Sequence, residues 1–281
     1  MMQDLIINFA PTGMVPTKEM TPHVPVSSAE IIEQVHEAHE LGITVAHLHA
    51  RHGDGSPAYE RQIYAEIFDG VRRHCPELVI CASLSGRTFP AFEQRSEVLE
   101  LQPDMASLTL GSMNFPREPS MNAPEMITRL AEKMDQFGVR PELECFDGGM
   151  VNYACYLASK DVLRPPFYFN LLVGNIATAQ DGLIQTGLLI SQLPAGSYWS
   201  LAGIGHSQLR ANTLALLEGG GVRVGLEDNI WFDASRTRLA TNLELLRRVH
   251  DLAAVFERPV MRPAAFGSLG FYNKHRSPGL S

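Results

Sequence analysis

Eight short apolar runs, each followed by a longer amphipathic stretch, are the feature of this sequence that most constrains its fold. Short runs rich in Val, Ile, Leu and Phe are typical of buried strands, and the longer stretches repeat their apolar residues with a helical period. The predicted strands are residues 5–9, 44–49, 79–84, 105–110, 142–146, 167–172, 198–202 and 221–226. The predicted helices begin near Ser28, Tyr59, Ala91, Ala123, Met150, Gln180, Gln208 and Arg236. Eight such units in about 250 residues are typical of the α/β class known as the (β/α)8 or TIM barrel, which we therefore predict.

The turn after the first strand separates this prediction from its main rival, a doubly wound open sheet. That fold usually carries a Gly-rich turn at this place, whereas this chain has Pro11-Thr12-Gly13-Met14. No linker or low-complexity stretch interrupts the sequence, so we predict a single domain over residues 1–281. From about residue 260 the chain is rich in Pro, Gly and Arg, and it is predicted to form a tail that covers a neighbouring surface or another subunit.

Two of the predicted helix starts carry recognisable capping signals. Ser27 supplies a hydroxyl for the cap, and Glu30, three residues later, places an acid in the first turn. Asn122 stands two residues ahead of Pro124, and Pro is favoured in the first helical turn.

The net charge and the cysteine content limit the kinds of binding partner and the cellular compartment that we expect for this chain. The net charge of -8 argues against a nucleic-acid surface, which needs a clustered basic face. The four cysteines have no close C-x-x-C pairing, so a reducing cytosol is the natural compartment. No run approaches the roughly 20 apolar residues of a membrane span, and the N-terminus lacks the basic start of a signal peptide. We therefore expect a cytoplasmic protein that acts on small molecules without a membrane or nucleic acid.

His47-Leu48-His49 at the end of the second predicted strand is the strongest local indication of a metal site. Residues two apart on a strand point to the same face, so both imidazoles can converge inside the barrel mouth. Two neutral imidazoles suit Zn²⁺ and other borderline divalent ions. The alternative is a pair of separately hydrogen-bonded core histidines.

The eighth predicted strand adds three charged residues, Arg223, Glu227 and Asp228. Arg223 and Glu227 fall on one face, with Gly225 between them leaving space. In a closed barrel Glu227 can complete a His-His-carboxylate site, and a catalytic zinc has three protein ligands with one open position. Arg223 and Asp228 are expected to pair beside it, because buried charges are rarely unpaired. The alternative is an ordinary structural ion pair.

Three further strand ends carry polar side chains where a purely structural barrel would place Val, Ile or Leu. They are Ser83 and Ser85, Ser107 and Thr109, and Glu142 and Glu144. Hydroxyls at such places suit a substrate carboxylate or a developing oxyanion. The turn 203–205 after strand seven is Gly-rich and lies where barrels often bind phosphate, so it is a candidate contact for a nucleotide such as CoA. The alternatives are core hydroxyls that are satisfied internally and a turn that needs positive φ.

Six segments occur together in one order along the chain. They are Pro11-Thr12-Gly13, His47-Leu48-His49-Ala50-Arg51 with Asp54-Gly55, Glu142-Leu143-Glu144, Gly149-Met150-Val151, Ala202-Gly203-Ile204-Gly205 and Arg223-Val224-Gly225-Leu226-Glu227-Asp228-Asn229. In this combination the sequence resembles the β-keto acid cleavage enzymes over nearly its whole length.

The resemblance implies a zinc-bearing (β/α)8 barrel, commonly a homotetramer. Such an enzyme converts a β-keto acid and acetyl-CoA into acetoacetate and a new acyl-CoA. By matching positions, His47, His49 and Glu227 are the implied zinc ligands. Asp228 is the implied catalytic base, and Arg223 is its ion-pair partner. The implied substrate-binding residues are Ser83, Ser107 and Glu144.

One position departs from the family pattern. Some members carry a glutamate just after the Thr-Gly of the first strand, near the substrate's distal amino group, and Val15 occupies that place here. A neutral or differently charged keto acid is therefore expected. Two other functions compete with cleavage: a metal-dependent hydrolase or aldolase on the same barrel, which would act without CoA, and a non-catalytic barrel whose metal is fully enclosed by protein ligands.

Overall fold

Eight parallel strands close into a barrel in the computed structural model, which describes residues 3–276. The strands are β1 (Ile7–Phe9), β2 (Val45–Leu48), β3 (Val79–Ala82), β4 (Met105–Thr109), β5 (Arg140–Cys145), β6 (Tyr168–Val173), β7 (Tyr198–Gly203) and β8 (Gly221–Val224). Each strand pairs with its sequence neighbour, and β8 closes the barrel on β1 with Ile7 opposite Val222. The predicted (β/α)8 fold is confirmed.

A helix follows each strand and covers the outside of the barrel. The helices are α1 (Ser28–Leu41), α2 (Arg61–His74), α3 (Phe92–Ser96), α4 (Pro124–Gln136), α5 (Gly148–Ser159), α6 (Leu183–Ser191), α7 (Gln208–Leu217), α8 (Asn242–Val255) and a short α9 (Pro263–Phe266). Within residues 3–276, no helix combines the length and the apolar character that a bilayer crossing requires.

The cap of α1 agrees with the sequence prediction, whereas the cap of α4 and the start of the last large helix differ from it. Ser27 caps α1 as predicted, and Glu30 completes a capping box with it. Asn122 does not cap α4, because its side chain accepts a hydrogen bond from Arg95 and donates to a loop carbonyl. The last large helix begins at Asn242 rather than near Arg236, since its capping box belongs to Thr241.

Residues 260–276 close the N-terminal end of the barrel. Met261 donates its backbone N–H to the carbonyl of Leu5 at 2.8 Å. Phe266 and Phe271 are fully buried and stack with ring centroids 4.3 Å apart. Both rings meet the edge of Tyr168. The surface that this tail covers is thus the base of its own barrel, and the C-terminal end of the barrel stays open.

Asp104 joins this tail to the barrel. Its side chain is 1% exposed and forms ion pairs with Arg72 and Arg276. It also accepts the backbone N–H of Ile80 at 3.0 Å and that of Asn273 at 3.2 Å. One buried carboxylate therefore holds α2, β3 and the tail together.

We expect Asp104→Ala to lower the free energy of unfolding by about 3–5 kcal/mol, because it leaves buried donors without their acceptor. Urea unfolding followed by circular dichroism measures this change. Asp69→Ala is the control, since Asp69 is exposed on α2 and should change stability by less than about 0.5 kcal/mol. Equal effects of the two substitutions would show that Asp104 is not a structural hub.

Candidate active site

A cavity of about 700 Å³ opens at the C-terminal end of the barrel. The loops after the strands form its walls. Seven of the eight residues that the sequence singled out line it: His47, His49, Ser83, Glu144, Arg223, Glu227 and Asp228. Substrate sites in this fold lie at the same end of the barrel.

Three of these side chains converge on one point. The donor atoms of His47, His49 and Glu227 all lie within 4.8 Å of one another. Glu227 Oε1 is 3.1 Å from His49 Nε2 and 3.9 Å from His47 Nε2. The second oxygen, Oε2, is buried, and it has no hydrogen-bond partner among residues 3–276. Two imidazoles and a carboxylate are a donor set that suits Zn²⁺, so these residues fit a divalent ion.

A buried carboxylate, that of Glu142, orients the imidazole of His47. Glu142 Oε2 accepts a hydrogen bond from His47 Nδ1 at 2.7 Å, which leaves Nε2 free to face the cavity. Glu142 itself is fully buried and accepts from Asn8 at 2.5 Å and from the Cys81 thiol at 3.3 Å. A carboxylate that binds the second nitrogen of a metal-ligating imidazole fixes its tautomer and ring orientation. The sequence marked Glu142 only as a polar residue on a strand.

His47, Cys81 and Glu142 also lie close enough together to be considered as a metal site. Burial, with the neighbouring Glu142, raises the pKa of the Cys81 thiol well above its usual value. The thiol donates to Glu142 Oε2 at 3.3 Å, and His47 Nδ1 donates to the same oxygen at 2.7 Å. These contacts form a hydrogen-bonded network that supports the first group.

Arg223 binds three carboxylates at the base of the cavity, and its side chain is only 2% exposed. Its Nε donates to Asp228 Oδ2 at 2.9 Å, and Nη2 donates to Glu227 Oε1 at 2.5 Å. Nη1 lies 3.5 Å from Glu144 Oε1. Burial opposes the charge of Arg223, but these carboxylates raise its pKa well above the ordinary value. One guanidinium thus fixes the positions of Asp228 and Glu227 together.

Burial and neighbouring charges shift the pKa values of two adjacent carboxyl groups, Glu227 and Asp228, in opposite directions. Burial opposes ionisation of Glu227, but Arg223 and the two histidines hold its pKa well below the usual value. Burial raises the pKa of Asp228, and Glu227 adds to the increase, which outweighs Arg223. Pairing with Arg normally lowers a carboxyl pKa. Burial and Glu227 outweigh that effect at Asp228, so Asp228 is the more basic carboxylate of the two.

The proposed substrate-binding residues lie at two depths. Ser83 lines the cavity, and so does Glu144, which accepts a hydrogen bond from Thr109 Oγ1 at 2.7 Å. Ser107 lies one layer deeper, where its hydroxyl accepts the backbone N–H of Leu84 at 3.0 Å. Thr109, two residues further along the same strand, reaches the cavity in its place.

The turn after β1 supports the side chain of Glu227. Gly13 has φ of +65°, and a Cβ at this position would lie 2.5 Å from Glu227 Cγ. Arg51 fixes the turn by donating to the carbonyls of Gly13 at 2.8 Å and Pro16 at 3.0 Å. Gly225 has a similar steric role, because a Cβ there would lie 2.0 Å from the carbonyl oxygen of Ala10. Gly225 thus permits the close approach of β8 to β1 and does not open space for a ligand.

We expect Gly13→Ala to weaken divalent-ion binding by about 10- to 100-fold, because the new methyl group displaces the Glu227 carboxylate. Competition with a chromogenic chelator measures the affinity. Gly55→Ala is a matched control: its φ is +84°, so the backbone strain is similar, but a Cβ there has no atom within 4 Å. If both variants lose the same affinity, backbone strain rather than the contact with Glu227 is the cause.

Comparison with solved structures shows the barrel fold. The apo structure of ObcA superposes with a TM-score of 0.79 at 20% identity and covers 90% of this chain. The chain spans 66% of the length of ObcA. At this identity the likeness concerns the fold alone.

Comparison of sequences shows the family. The family model for beta-keto acid cleavage enzyme matches residues 4–268. The chain is 34% identical over 266 residues to the 3-keto-5-aminohexanoate cleavage enzyme of Fusobacterium nucleatum, covering 94% of this chain and 96% of that one. It is 34% identical over 263 residues to the 3-oxoadipate:acetyl-CoA acetyltransferase of Cupriavidus necator, covering 92% of each. The 3-dehydrocarnitine:acetyl-CoA trimethylamine transferase of Rhizobium meliloti is 31% identical over 286 residues, covering 94% and 95%.

The match extends over nearly all of the described chain, and the resemblance predicted from the sequence is confirmed. This chain therefore belongs to the β-keto acid cleavage enzyme family.

Proposed function

We propose that this protein is a zinc-dependent enzyme that converts a β-keto acid and acetyl-CoA into acetoacetate and a new acyl-CoA. The observation that carries the proposal is the convergence of His47, His49 and Glu227 beside the Arg223–Asp228 pair at the open end of the barrel. The names of several relatives specify acetyl-CoA as the second substrate, which supports acyl transfer as the reaction.

His47, His49 and Glu227 would hold the metal ion, with Glu142 fixing the imidazole of His47. Zn²⁺ held there would supply Lewis acidity to the keto oxygen and so make the neighbouring carbon–hydrogen bonds more acidic. Three protein ligands are the number typical of a catalytic zinc, whereas a structural zinc has four.

Asp228 is the group that we assign as general base. The raised pKa of Asp228 increases its basicity, and Arg223 holds the carboxylate in one orientation. It removes a proton from the carbon between the keto and carboxylate groups. That carbon then forms a bond to the acetyl carbonyl carbon of acetyl-CoA, and the carbon–sulfur bond breaks to release the CoA thiolate. The thiolate adds to the original keto carbon, the original carbon–carbon bond breaks, and the acetoacetate enolate that leaves takes back the proton held by Asp228. The products are acetoacetate and the acyl-CoA of the remaining fragment, so no covalent enzyme intermediate is required.

Ser83, Thr109 and Glu144 line the wall that faces this chemistry, and we assign substrate contact to them. We assign Ser107 an indirect role, because its hydroxyl accepts the backbone N–H of Leu84 and so positions the backbone next to Ser83. Arg117 and Arg236 are exposed at the mouth of the cavity, where cations suit the phosphates of CoA.

A panel of β-keto acids, each incubated with the enzyme in the presence and absence of acetyl-CoA, tests the proposed reaction. Acetoacetate and the new acyl-CoA should appear in equal amounts and only when acetyl-CoA is present. Turnover without acetyl-CoA would instead identify a hydrolase or an aldolase. Removal of divalent ions with a chelator should abolish turnover, and Zn²⁺ should restore it.

We also propose that the chain folds as one domain over residues 1–281 and works as a cytoplasmic homotetramer. The exposed apolar residues of α6, Leu183, Ile184 and Leu188, support association, and Ile184 is 87% exposed. The free thiols of Cys75, Cys81 and Cys145 are buried, which suits a reducing compartment. Light scattering coupled to size-exclusion chromatography measures the subunit number.

A further inference from the structure

Arg87 is a cavity-lining cation that the proposed mechanism does not use. It lies on the loop after β3, and its side chain is 16% exposed. Its guanidinium stacks over the ring of Phe115, 3.5 Å from the ring centroid. The nearest acidic atom among residues 3–276 is Glu118 Oε1, 3.9 Å from Arg87 Nε, which is beyond hydrogen-bond distance.

The buried arginines Arg51 and Arg95 have fixed partners. Arg51 donates to three backbone carbonyls. Arg95 donates to the carbonyls of Leu84 and Met121 and to the side chain of Asn122. Within the described chain, the Arg87 guanidinium has no such acceptor. Partial burial lowers the pKa of Arg87, and no hydrogen bond from a described residue compensates the partial loss of solvent. The arrangement favours an anion that enters the cavity.

The stacking on Phe115 contacts the guanidinium without using its N–H donors. A guanidinium presents parallel N–H donors that match the two oxygens of a carboxylate. The cavity carboxylates Glu227, Asp228 and Glu144 act on Arg87 only through longer-range attraction, because each of them is paired directly with Arg223.

The position of Arg87 also indicates which end of the substrate it meets. Ser83, Ser85 and Arg87 follow one another on a single loop, and all three line the cavity. Ser83 lies beside the proposed reaction centre, and Arg87 lies further along the loop. A substrate whose reacting end is near Ser83 can extend its other end toward Arg87.

We propose that Arg87 binds a second carboxylate at the distal end of the β-keto acid, so that the enzyme prefers β-keto diacids over monoacids of the same length. The inference rests on the proposed function and names the substrate class of the same site.

The test compares 3-oxohexanedioic acid with 3-oxohexanoic acid, which differ only in the distal carboxylate. The unmodified enzyme should have the higher kcat/KM for the diacid. Arg87→Met keeps the length and apolar stem of the side chain but removes its charge. It should lower kcat/KM for the diacid by about 10- to 100-fold, with a much smaller change for the monoacid. Arg87→Lys should restore part of the preference.

Arg129→Met is the matched control. Arg129 stacks over Phe92 at 4.0 Å and lies 3.9 Å from Glu93, so these two contacts resemble those of Arg87, but it is exposed and lies on α4 away from the cavity. The substrate preference of this variant should equal that of the unmodified enzyme.

Three results would overturn the inference. Equal losses for diacid and monoacid in Arg87→Met would indicate a structural role. A raised KM for acetyl-CoA with an unchanged diacid preference would assign Arg87 to a CoA phosphate. Equal turnover of both acids by the unmodified enzyme would remove the inference and leave the proposed function intact, whereas turnover of no β-keto acid with acetyl-CoA would remove both.

Discussion

Replacing His49 by alanine is expected to remove the bound divalent ion and to lower kcat/KM by more than about 10³-fold. The two remaining donors, His47 Nε2 and Glu227, are too few to hold zinc in the tetrahedral geometry of a catalytic site. Loss of the metal removes the several kcal/mol of charge stabilisation that a Lewis acid contributes, which corresponds to a change of this size. His49 Nε2 is 3.1 Å from Glu227 Oε1, so the substitution also leaves that carboxylate less restrained.

Metal analysis of the purified variant and the absorption spectrum of the Co²⁺-substituted protein measure the first effect, and the acetoacetate assay measures the second. His52→Ala is the control, because His52 lies on the same loop, is partly exposed and contacts Glu60 rather than the cavity. It should retain the metal and the activity. Stoichiometric zinc in His49→Ala would exclude His49 as a ligand.

Asp228→Asn is expected to lower kcat by about 10²- to 10⁴-fold, the usual contribution of a general base. The amide is nearly isosteric but cannot accept a proton from carbon. Arg223 keeps its contacts with Glu227 and Glu144, so the buried guanidinium remains paired and the fold should persist. Metal content should remain that of the unmodified protein.

The pH dependence of kcat/KM adds a second measurement for Asp228. A general base acts in its ionised form, so activity should fall as the pH decreases through its pKa. Because burial and Glu227 raise that pKa, the acid limb should lie above the roughly 3.9 of a free aspartate. Asp251→Asn, on the exposed face of α8, should leave the profile unchanged. Normal turnover by Asp228→Asn would exclude Asp228 as the base, and loss of zinc would instead assign it to the support of Glu227.

The barrel could be predicted from the sequence because its determinants are local. Strand and helix periods, and the capping box at Ser27 and Glu30, depend on residues close together in the chain. The same applies to the cavity-lining pair His47 and His49, since alternation along one strand places both on one face. Arg223, Glu227 and Asp228 lie within six residues of one another, so their mutual contacts were also predictable.

The tertiary structure decided the features that depend on residues far apart in the chain. Closure of the barrel brings Glu142 to His47, and the turn at Gly13 to Glu227. It also stacks Arg87 on Phe115. No periodicity encodes such neighbours, because the side chains belong to different strands and loops.

The depth at which a side chain lies inside the barrel could not be predicted from the sequence pattern either. Ser107 and Thr109 share a face of one strand, but only the second reaches the cavity. The direction in which the pKa of Asp228 shifts also depends on the tertiary structure, because burial and the neighbouring Glu227 outweigh the ion pair with Arg223 that the sequence does predict. Alternation along a strand thus determined which residues face the barrel interior. Their depth, their desolvation and their partners followed only from how eight strands close around one axis.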